Sequence, residues 1–412
     1  MILTSCSTCL LIQAKASFKP KPISMATFNF LHFLTITTLI AIVTTVTITA
    51  IVTTTATTPA VTTAAAAIKG AYWFEQEIFP ASAINSSLFT HIFYAFLIPN
   101  YTTYTLQISN SESQSLSKFI NTLRTKNPPL KTLISIGGGG SNPNLFAEIV
   151  ATRAARAALI KSTISVVRRF GFDGVDLDWE FPKTDEQMSN LGILLREWRH
   201  AIDVDSKISG KPPLLLTAAV YFADNFFLSA TQRRYPVASI NSNLDFVNIM
   251  SYDFYGSGNN STGAPAALFD PKSNINVVSG IILWIRAGLD PKKVVMGLPL
   301  YGRKWMLRDH NVNGLGAPAI GVTGFDGTKA FVQIEKFNKE MNATVVYDMD
   351  TVSVYSYSNT SWIGYDDPFT VRIKIGFAQA LGLRGYFFWA VGYDSDIITR
   401  QASKAWILYE RH

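Results

Sequence analysis

Eight short apolar runs, separated by helical patterns, constrain the fold of this chain more than any other feature of its sequence. Each run is rich in β-branched or aromatic residues, as buried strands are. Strands that alternate with helices form parallel βαβ units, so eight of them predict an α/β fold, a closed (β/α)8 TIM barrel. A doubly wound open sheet is the alternative. The runs are Ile68 to Phe74, His91 to Leu97, Lys131 to Ile136, Gly174 to Glu180, Leu214 to Tyr221, Phe246 to Tyr252, Lys293 to Leu300 and Gly385 to Ala390.

The segments between the runs supply the helices and one insertion. Helical spacing of apolar residues is present at Ser113 to Leu123, Leu145 to Arg169, Glu186 to Ile202, Val277 to Ala287 and Val371 to Ala380. The seventh and eighth runs are unusually far apart. Between them, one helical pattern (Ala330 to Glu340) and two strand patterns (Ala343 to Asp348, Val352 to Tyr357) predict a small α+β insertion at residues 303–362. The barrel would then comprise residues 68–302 and 363–412.

Residues 1–67 differ in composition from the rest of the chain and have the pattern of an N-terminal leader. Three lysines precede a tract without Lys, Arg, Asp or Glu from Pro22 to Ile68, which ends in a run of alanines. That order is typical of a cleaved secretory signal. The apolar part, Phe30 to Val52, is also long enough for a signal anchor, since about 20 residues span a bilayer; a soluble transit-type leader is a third interpretation. We expect cleavage and secretion to the extracellular or cell wall space or the vacuole, with membrane attachment only if the leader is retained.

The cysteine, charge and glycosylation patterns indicate which classes of protein this chain can belong to. Both cysteines, Cys6 and Cys9, lie in the leader, so the remainder has neither a disulfide framework nor a cysteine metal site. The formal charge is +7, or +4 without the three leader lysines, and no dense basic run follows, which argues against nucleic-acid binding. Glycosylation triplets, which fit a secreted protein, begin at Asn85, Asn100, Asn259, Asn260, Asn342 and Asn359.

Four carboxylates fall within the segment Asp173 to Glu180. If the segment is a strand, Asp176, Asp178 and Glu180 share one face. Burial and like-charge repulsion then favour keeping a proton on the group, so the cluster suits a general acid at the carboxyl end of the fourth strand. The alternatives are a buried salt-bridge network or a divalent-metal site, although the five histidines show no ligand spacing. We expect no metal and no cofactor.

The acidic segment, Asp-Gly-Val-Asp-Leu-Asp-Trp-Glu, resembles the signature of glycoside hydrolase family 18, the chitinase-type (β/α)8 barrels. Further segments agree in order, and the chain is most similar to the plant class V chitinases of that family. These segments are Leu133 to Gly138, Met250 to Gly256, Gly297 to Gly302, Trp362 to Asp367 and Gly385 to Trp389.

The resemblance implies a role for each catalytic residue. Glu180 matches the general acid that protonates the glycosidic oxygen and later acts as the base for water. Asp178 matches the residue that orients the substrate's N-acetyl group and stabilises an oxazolinium intermediate, because in this family the substrate's own amide oxygen is the nucleophile. Asp176 would share or relay the proton, and Tyr252 would donate a hydrogen bond to the N-acetyl group.

The resemblance also implies substrate-binding residues. Trp389 matches the indole floor beneath the sugar at the cleavage point, where a flat apolar face suits a pyranose. Asp253 and Met250 lie in the same site as Tyr252. Tyr72 on the first strand is a further candidate for the cleft, and Ser135 on the third strand is expected to hydrogen-bond the acidic cluster.

These residues favour a retaining chitinase that acts as a monomer, and the expected partners are chitin and chitooligosaccharides. A chitin-binding lectin or inhibitor on the same barrel is one alternative, although such relatives commonly lose the acid at the position of Glu180. An endo-β-N-acetylglucosaminidase is the other. Ala390 replaces a residue that is usually polar in the plant members, and the loop from Tyr393 to Asp396 also departs from the pattern, which affects distal subsites and rate rather than the chemistry.

Overall fold

The computed structural model describes residues 66–76, 79–227, 232–256, 258–322 and 326–409. Residues 1–65 of the leader, with its signal or anchor alternatives and both cysteines, lie outside this part of the chain. No helix among the described residues is long and apolar enough to cross a bilayer.

Eight parallel strands close into a barrel, as the sequence predicts, and the open-sheet alternative is wrong. Each strand pairs with its neighbours in chain order, and the first also pairs with the eighth, so that no edge remains. From first to eighth, the strands are Ile68–Trp73, His91–Leu97, Lys131–Gly137, Gly174–Asp178, Leu215–Tyr221, Phe246–Met250, Val294–Pro299 and Gly385–Trp389.

Two strands end two residues earlier than predicted, and both endings concern predicted site residues. The fourth strand ends at Asp178, because its last ladder partner on the fifth strand is Ala219. Glu180 therefore lies two residues beyond the ladder. Similarly, the sixth strand ends at Met250, which leaves Tyr252 in the loop that follows. Both side chains thus stand on the carboxyl-terminal rim of the barrel, where active sites of this fold are built.

Helices surround the barrel where apolar spacing predicts them, but one predicted helix is divided, and the helices Val237–Asn243 and Ile397–Tyr409 were not predicted. The predicted helix from Leu145 to Arg169 is two helices that meet at Thr152, whose backbone is extended and whose hydroxyl accepts from the Ala155 amide as an N-cap. The α-helices are Asn110–Arg124, Pro143–Ala151, Arg153–Phe170, Asp185–Ser209, Val237–Asn243, Val277–Arg286, Phe331–Glu340, Pro368–Ala380 and Ile397–Tyr409. Short 3-10 helices are Ala81–Ala83, Ser86–Leu88 and Pro291–Lys293, and a small hairpin pairs Asn225–Phe227 with Gln232–Arg234.

Strand alternation divides the side chains between two apolar layers. Val175, Leu177 and Trp179 point outward into the large core between strands and helices. Inside the barrel, a smaller cluster that includes Phe93 and Phe246 fills the space below the acidic residues. The interior is therefore a packed, dry floor, and the carboxyl groups above it are poorly solvated.

The insertion follows the seventh strand directly and is α+β, as predicted. Its sheet extends from Tyr301 to Tyr365, slightly wider than residues 303–362, because Tyr301 pairs with Ala330 and Tyr365 pairs with Val354. In spatial order its antiparallel strands are Ala319–Val322, Tyr301–Leu307, Ser361–Tyr365, Ser353–Ser358 and Thr344–Asp348, with Thr328–Ala330 also paired to Tyr301–Leu307 and the helix Phe331–Glu340 following.

A buried ion pair fixes the segment through which the chain returns from the insertion to the barrel. Lys374, on the helix after the insertion, is fully buried and donates to both carboxylate oxygens of Asp366 at 2.6 Å. The same ammonium group donates to the carbonyl of Ala266 in the loop after the sixth strand. Three segments therefore depend on a single charged group that water does not reach.

We expect Lys374→Met to lower the free energy of unfolding by about 3–5 kcal/mol, because it leaves the Asp366 carboxylate buried without its counter-ion. Urea denaturation followed by tryptophan fluorescence measures this. Lys336→Met is the matched control: its ammonium lies 3.8 Å from Glu340 on an exposed helix face, so its effect should stay within about 0.5 kcal/mol. Equal unfolding curves for the two variants would contradict the assigned importance of the buried pair.

Candidate active site

A cavity of about 480 Å³ opens at the carboxyl ends of the barrel strands. Its polar lining includes Asp178, Glu180, Tyr252 and Asp253, which come from the end of the fourth strand and from the loops after the fourth and sixth strands. Aromatic side chains form most of the remaining wall, notably Tyr72, Phe96, Tyr221, Tyr301 and Trp389. The volume and the mixture of carboxyl groups with flat apolar faces suit a sugar-sized ligand.

Asp176 lies beneath the cavity rather than in its wall, and three hydroxyl groups surround it. Tyr72 and Ser135 donate to its Oδ2 at 2.8 and 2.7 Å, and Thr217 donates to Oδ1 at 2.6 Å. Burial raises the pKa of Asp176, and these three hydrogen bonds act in the opposite direction. Both oxygens are occupied by donors, so these hydrogen bonds stabilise the carboxylate form, which only accepts, against the effect of burial.

Asp178 and Glu180 both line the cavity, where their carboxyl groups interact closely enough to share a proton, and Asp178 Oδ1 has no other partner among the described residues. Burial, followed by the charges of Glu180 and Asp176, raises the pKa of Asp178 well above its usual range. Burial also raises the pKa of Glu180 to about 7; the hydrogen bond from Asp178 lowers it, and the charge of Asp253 raises it. Two carboxyl groups in contact in a dry site share protons and titrate as a pair. This pair therefore retains a proton at neutral pH, as a general acid requires.

Tyr252 is held as a neutral donor beside this pair. Burial and the charges of Asp178, Glu180, Asp253 and Asp176 raise the pKa of its phenol well above 10. The hydroxyl makes no hydrogen bond to the described part of the chain, whereas the ring packs edge-on to Tyr301 and Phe387. The ring is thus fixed while its proton remains available to a ligand.

Asp253 connects the barrel site to the insertion. Its Oδ1 accepts from Arg303 Nε and Nη2 at 2.9 and 2.7 Å, and Tyr301 also hydrogen-bonds it. The opposite side of the Arg303 guanidinium donates to Asp326 and Thr328. Asp253 adopts a left-handed backbone (φ +60°), which Asp tolerates better than most residues. The insertion thereby fixes a negative charge near Glu180.

Trp389 forms an aromatic floor at the end of the eighth strand. Its ring stacks on Phe96 (5.5 Å between centroids, 20° between planes) and on Phe74 (6.0 Å, 21°). Tyr72 meets the same indole at 5.5 Å. The remaining face is part of the cavity wall and can receive the apolar face of a pyranose.

Two glycines at the end of the third strand, Gly137 and Gly139, allow the backbone to lie close to Asp178 and Glu180. A Cβ at Gly139 would lie 3.2 Å from Glu180 Oε2, and one at Gly137, where φ is +111°, would overlap the Asp178 carbonyl oxygen. The glycine run after the third strand is therefore needed for close approach of the backbone to the acids.

The structure brings most of the sequence-predicted residues together and relocates one. Asp178, Glu180, Tyr252 and the substrate-binding candidates Asp253, Met250, Tyr72 and Trp389 line the cavity. Ser135 is fully buried and does not reach the wall, so its predicted place among the substrate-binding residues is corrected to support of Asp176. Asp173 lies at the opposite end of the barrel, paired with Lys131. Among the described residues, no group of three His, Cys, Asp or Glu side chains could hold a metal ion.

Sequence reasoning missed several residues that complete the site. Thr217 and Asn248 lie on the inner faces of the fifth and sixth strands, and alternation from a correctly placed strand could have found them. Phe96 follows similarly from the second strand. Tyr301 and Arg303, however, belong to the insertion, and no local pattern indicates that this segment folds back over Asp253.

Barrel, acid pair and aromatic floor together define an enzyme of the glycoside hydrolase class. Residues 69–394 match the family model described as Glycosyl hydrolases family 18, so the chain belongs to that family. Its relatives include proteins named class V chitinases and one named a chitinase-like agglutinin. The protein is a chitinase-type glycoside hydrolase of the plant class V group.

Three of these relatives show the extent of the similarity. Nod factor hydrolase protein 1 of Medicago truncatula is 59% identical over 82% of this chain and 90% of its own length. A class V chitinase of the same species, CHIT5b, is 57% identical over 83% and 91%. Among solved structures, a mutant of the class V chitinase of Nicotiana tobaccum in complex with NAG4 has a TM-score of 0.80 and 41% identity, covering 82% of this chain and 99% of that one.

We expect kcat/KM to fall as the pH rises through about 7, because Glu180, whose pKa burial raises, then loses the proton that the reaction uses. Asp253→Asn removes a negative charge that contributes to this raised pKa, so the alkaline limb should move to lower pH. A pH series of kcat/KM on a chromogenic substrate measures both. Asp326→Asn is the control, since Asp326 also pairs with Arg303 but does not shift the pKa of Glu180. The same displacement in both variants, or in neither, would contradict the electrostatic role of Asp253.

Proposed function

We propose that the protein hydrolyses β-1,4-linked N-acetylglucosamine polymers with retention of configuration, and that the substrate's own N-acetyl oxygen is the nucleophile. The observation that carries this proposal is the close interaction of the Asp178 and Glu180 carboxyl groups in the cavity wall, where Asp178 Oδ1 has no other partner among the described residues. Glycosidases that use two carboxylates separate them by about 5–5.5 Å for a covalent intermediate, or by about 6.5–9.5 Å to admit a water. Carboxyl groups in contact fit neither arrangement.

The other carboxylate of the cavity is also unsuited to attack. Asp253 is held by Arg303 through two nitrogen atoms of one guanidinium and by Tyr301, which together lower its nucleophilicity. Asp176 is buried beneath the cavity and accepts three hydrogen bonds. A substrate that carries its own amide oxygen next to the anomeric carbon removes the need for a protein nucleophile.

In the first step, Glu180 donates a proton to the glycosidic oxygen as the bond from that oxygen to the anomeric carbon breaks. The N-acetyl carbonyl oxygen attacks the same carbon and forms a cyclic oxazolinium ion. Asp178 accepts a hydrogen bond from the amide N–H, and its negative charge offsets the positive charge of the ring. The neutral Tyr252 hydroxyl, which has no acceptor in the described part of the chain, donates to the N-acetyl oxygen and holds it in place.

In the second step, water enters where the leaving sugar stood. Glu180, now a carboxylate, accepts a proton from this water as its oxygen attacks the anomeric carbon and the oxazolinium ring opens. The new hydroxyl therefore has the configuration of the original bond, and Glu180 is returned to its protonated form. Trp389 supports the sugar ring throughout through its exposed face.

The substrate class draws on the relatives as well as on the cavity. A related class V chitinase structure contains NAG4, and others from Cycas revoluta contain (GlcNAc)3. The aromatic floor and the hydrogen-bonding groups at its edge fit a ligand with flat apolar faces and an amide. The lectin alternative is disfavoured by an acid pair that retains its proton, because binding alone does not need one.

Glu180→Gln should lower hydrolysis of a fluorogenic chitooligosaccharide by at least about 100- to 10,000-fold, because an amide has no acidic proton to donate. Glu186→Gln, the same substitution on an exposed helix turn, should leave turnover unchanged. Proton NMR of the fresh product should show the β-anomer first. Equal turnover by wild type and Glu180→Gln would refute the assignment, whereas chitin binding without turnover by the wild type would favour a lectin. Release of intact N-glycans from a glycoprotein in place of chitooligosaccharide cleavage would favour an endo-β-N-acetylglucosaminidase.

A second candidate substrate is the Nod factor, which is favoured by 59% identity to a protein named Nod factor hydrolase. We expect Glu180→Gln to abolish cleavage of Nod factor and of chitooligosaccharide alike, because a single cavity would serve both. Chromatography of each substrate after incubation with equal amounts of enzyme compares the two rates. Cleavage of chitooligosaccharide alone would exclude this candidate.

Secretion belongs to the proposal as well. The order of charges, apolar run and small residues in the first 67 residues supports a leader that is removed on export. Intact mass of the native protein after deglycosylation tests this, since a retained leader would add the full mass of those residues.

A further inference from the structure

Asn248 lies on the inner face of the sixth strand and is fully buried. Its amide nitrogen donates to the Tyr72 hydroxyl at 2.9 Å, while its Oδ1 has no partner among the described residues. An unpaired buried acceptor costs about 1–3 kcal/mol, so an apolar side chain of the same size would suit stability better. The amide therefore requires an explanation other than packing.

The Tyr72 hydroxyl has one proton and two neighbours. Asp176 Oδ2 lies 2.8 Å away on one side, and Asn248 Nδ2 lies on the other. Because an amide nitrogen only donates, the phenol oxygen accepts from Asn248 and its own proton faces Asp176. If the amide were reversed, Asn248 Oδ1 and the Asp176 carboxylate would compete for the same proton. Amide orientation and the direction of the Tyr72 proton are thus coupled.

This coupling fixes the direction of one of the three hydrogen bonds to Asp176, so that donor and acceptor cannot exchange. The hydroxyls of Ser135 and Thr217 can each rotate and accept a proton from Asp176. The hydroxyl of Tyr72 cannot, because Asn248 occupies its acceptor side and no other group of the described chain receives its proton. Tyr72 therefore always donates to Asp176 and stabilises its carboxylate form.

We propose that Asn248 is a positioning residue for hydrolysis, which holds the Tyr72 proton on Asp176 so that Asp176 remains a carboxylate while Glu180 gives and takes the catalytic proton. The inference rests on the mechanism proposed above. A fixed negative charge on Asp176 is one of the causes that raise the pKa of Asp178, so the mobile proton stays with Asp178 and Glu180 at the cavity surface. Asn248 itself never touches the substrate.

A double-mutant cycle tests this role. Asn248→Leu should lower kcat by up to about tenfold, the loss expected for one hydrogen bond between neutral groups, and should leave KM within about twofold because the residue lies below the cavity. Tyr72→Phe should lower kcat at least as much. The double variant should be no slower than Tyr72→Phe alone, because Asn248 acts only through the Tyr72 hydroxyl. Effects that multiply would overturn the inference.

Ser251→Ala is the matched control. Ser251 is also buried in the segment after the sixth strand, but it donates to the carbonyls of Ile249 and Gly297 and has no contact with Tyr72. Its effect should multiply with that of Tyr72→Phe. Circular dichroism and thermal midpoints check folding, and Asn248→Ala, which adds no bulk, carries the same cycle if the leucine variant does not fold. A wild type without hydrolytic activity overturns both the mechanism and this inference; an active wild type with multiplying Asn248 and Tyr72 effects overturns this inference alone.

Discussion

The interaction between the carboxyl groups of Asp178 and Glu180 in the cavity wall is the constraint on which the rest of the structure depends. Two such groups close together cannot both ionise without a large cost where burial limits their hydration. The barrel limits this hydration through the apolar cluster beneath the acids and the aromatic walls beside them. The Asp178–Glu180 pair therefore retains a proton at neutral pH because the fold places both residues close together at the end of the fourth strand.

Two further carboxylates lie near the Asp178–Glu180 pair, Asp176 below it inside the barrel and Asp253 at the rim of the cavity. Below it, three hydroxyl donors from different strands stabilise Asp176 as an acceptor. At its rim, Asp253 adds a negative charge whose position depends on Arg303 of the insertion. Because that guanidinium also pairs with Asp326, the insertion sets the electrostatic environment of Glu180 in addition to forming a wall of the cavity. The buried pair of Lys374 and Asp366 attaches the same insertion to the barrel.

Much of this site could be predicted because strand alternation is a local property. Once the acidic segment is assigned to a strand, Asp176 and Asp178 must face inward and Leu177 outward, and the structure agrees. The positions of strand ends were predicted less well, since a ladder ends where its neighbour ends rather than where apolar residues stop. The break at Thr152 was missed for a related reason: both helices have the same apolar spacing, and a single N-cap separates them.

The sequence by itself determined the barrel, the insertion after the seventh strand and the inward acidic face, because periodicity and residue type act within a few residues of each other. Only the tertiary structure decided which hydroxyls meet Asp176, that Ser135 lies below the cavity, and that Tyr301 and Arg303 reach Asp253. These contacts join residues from separate strands or from the insertion. Closure of the barrel brings such residues together, and a pattern read along one segment carries no information about the distance between two segments.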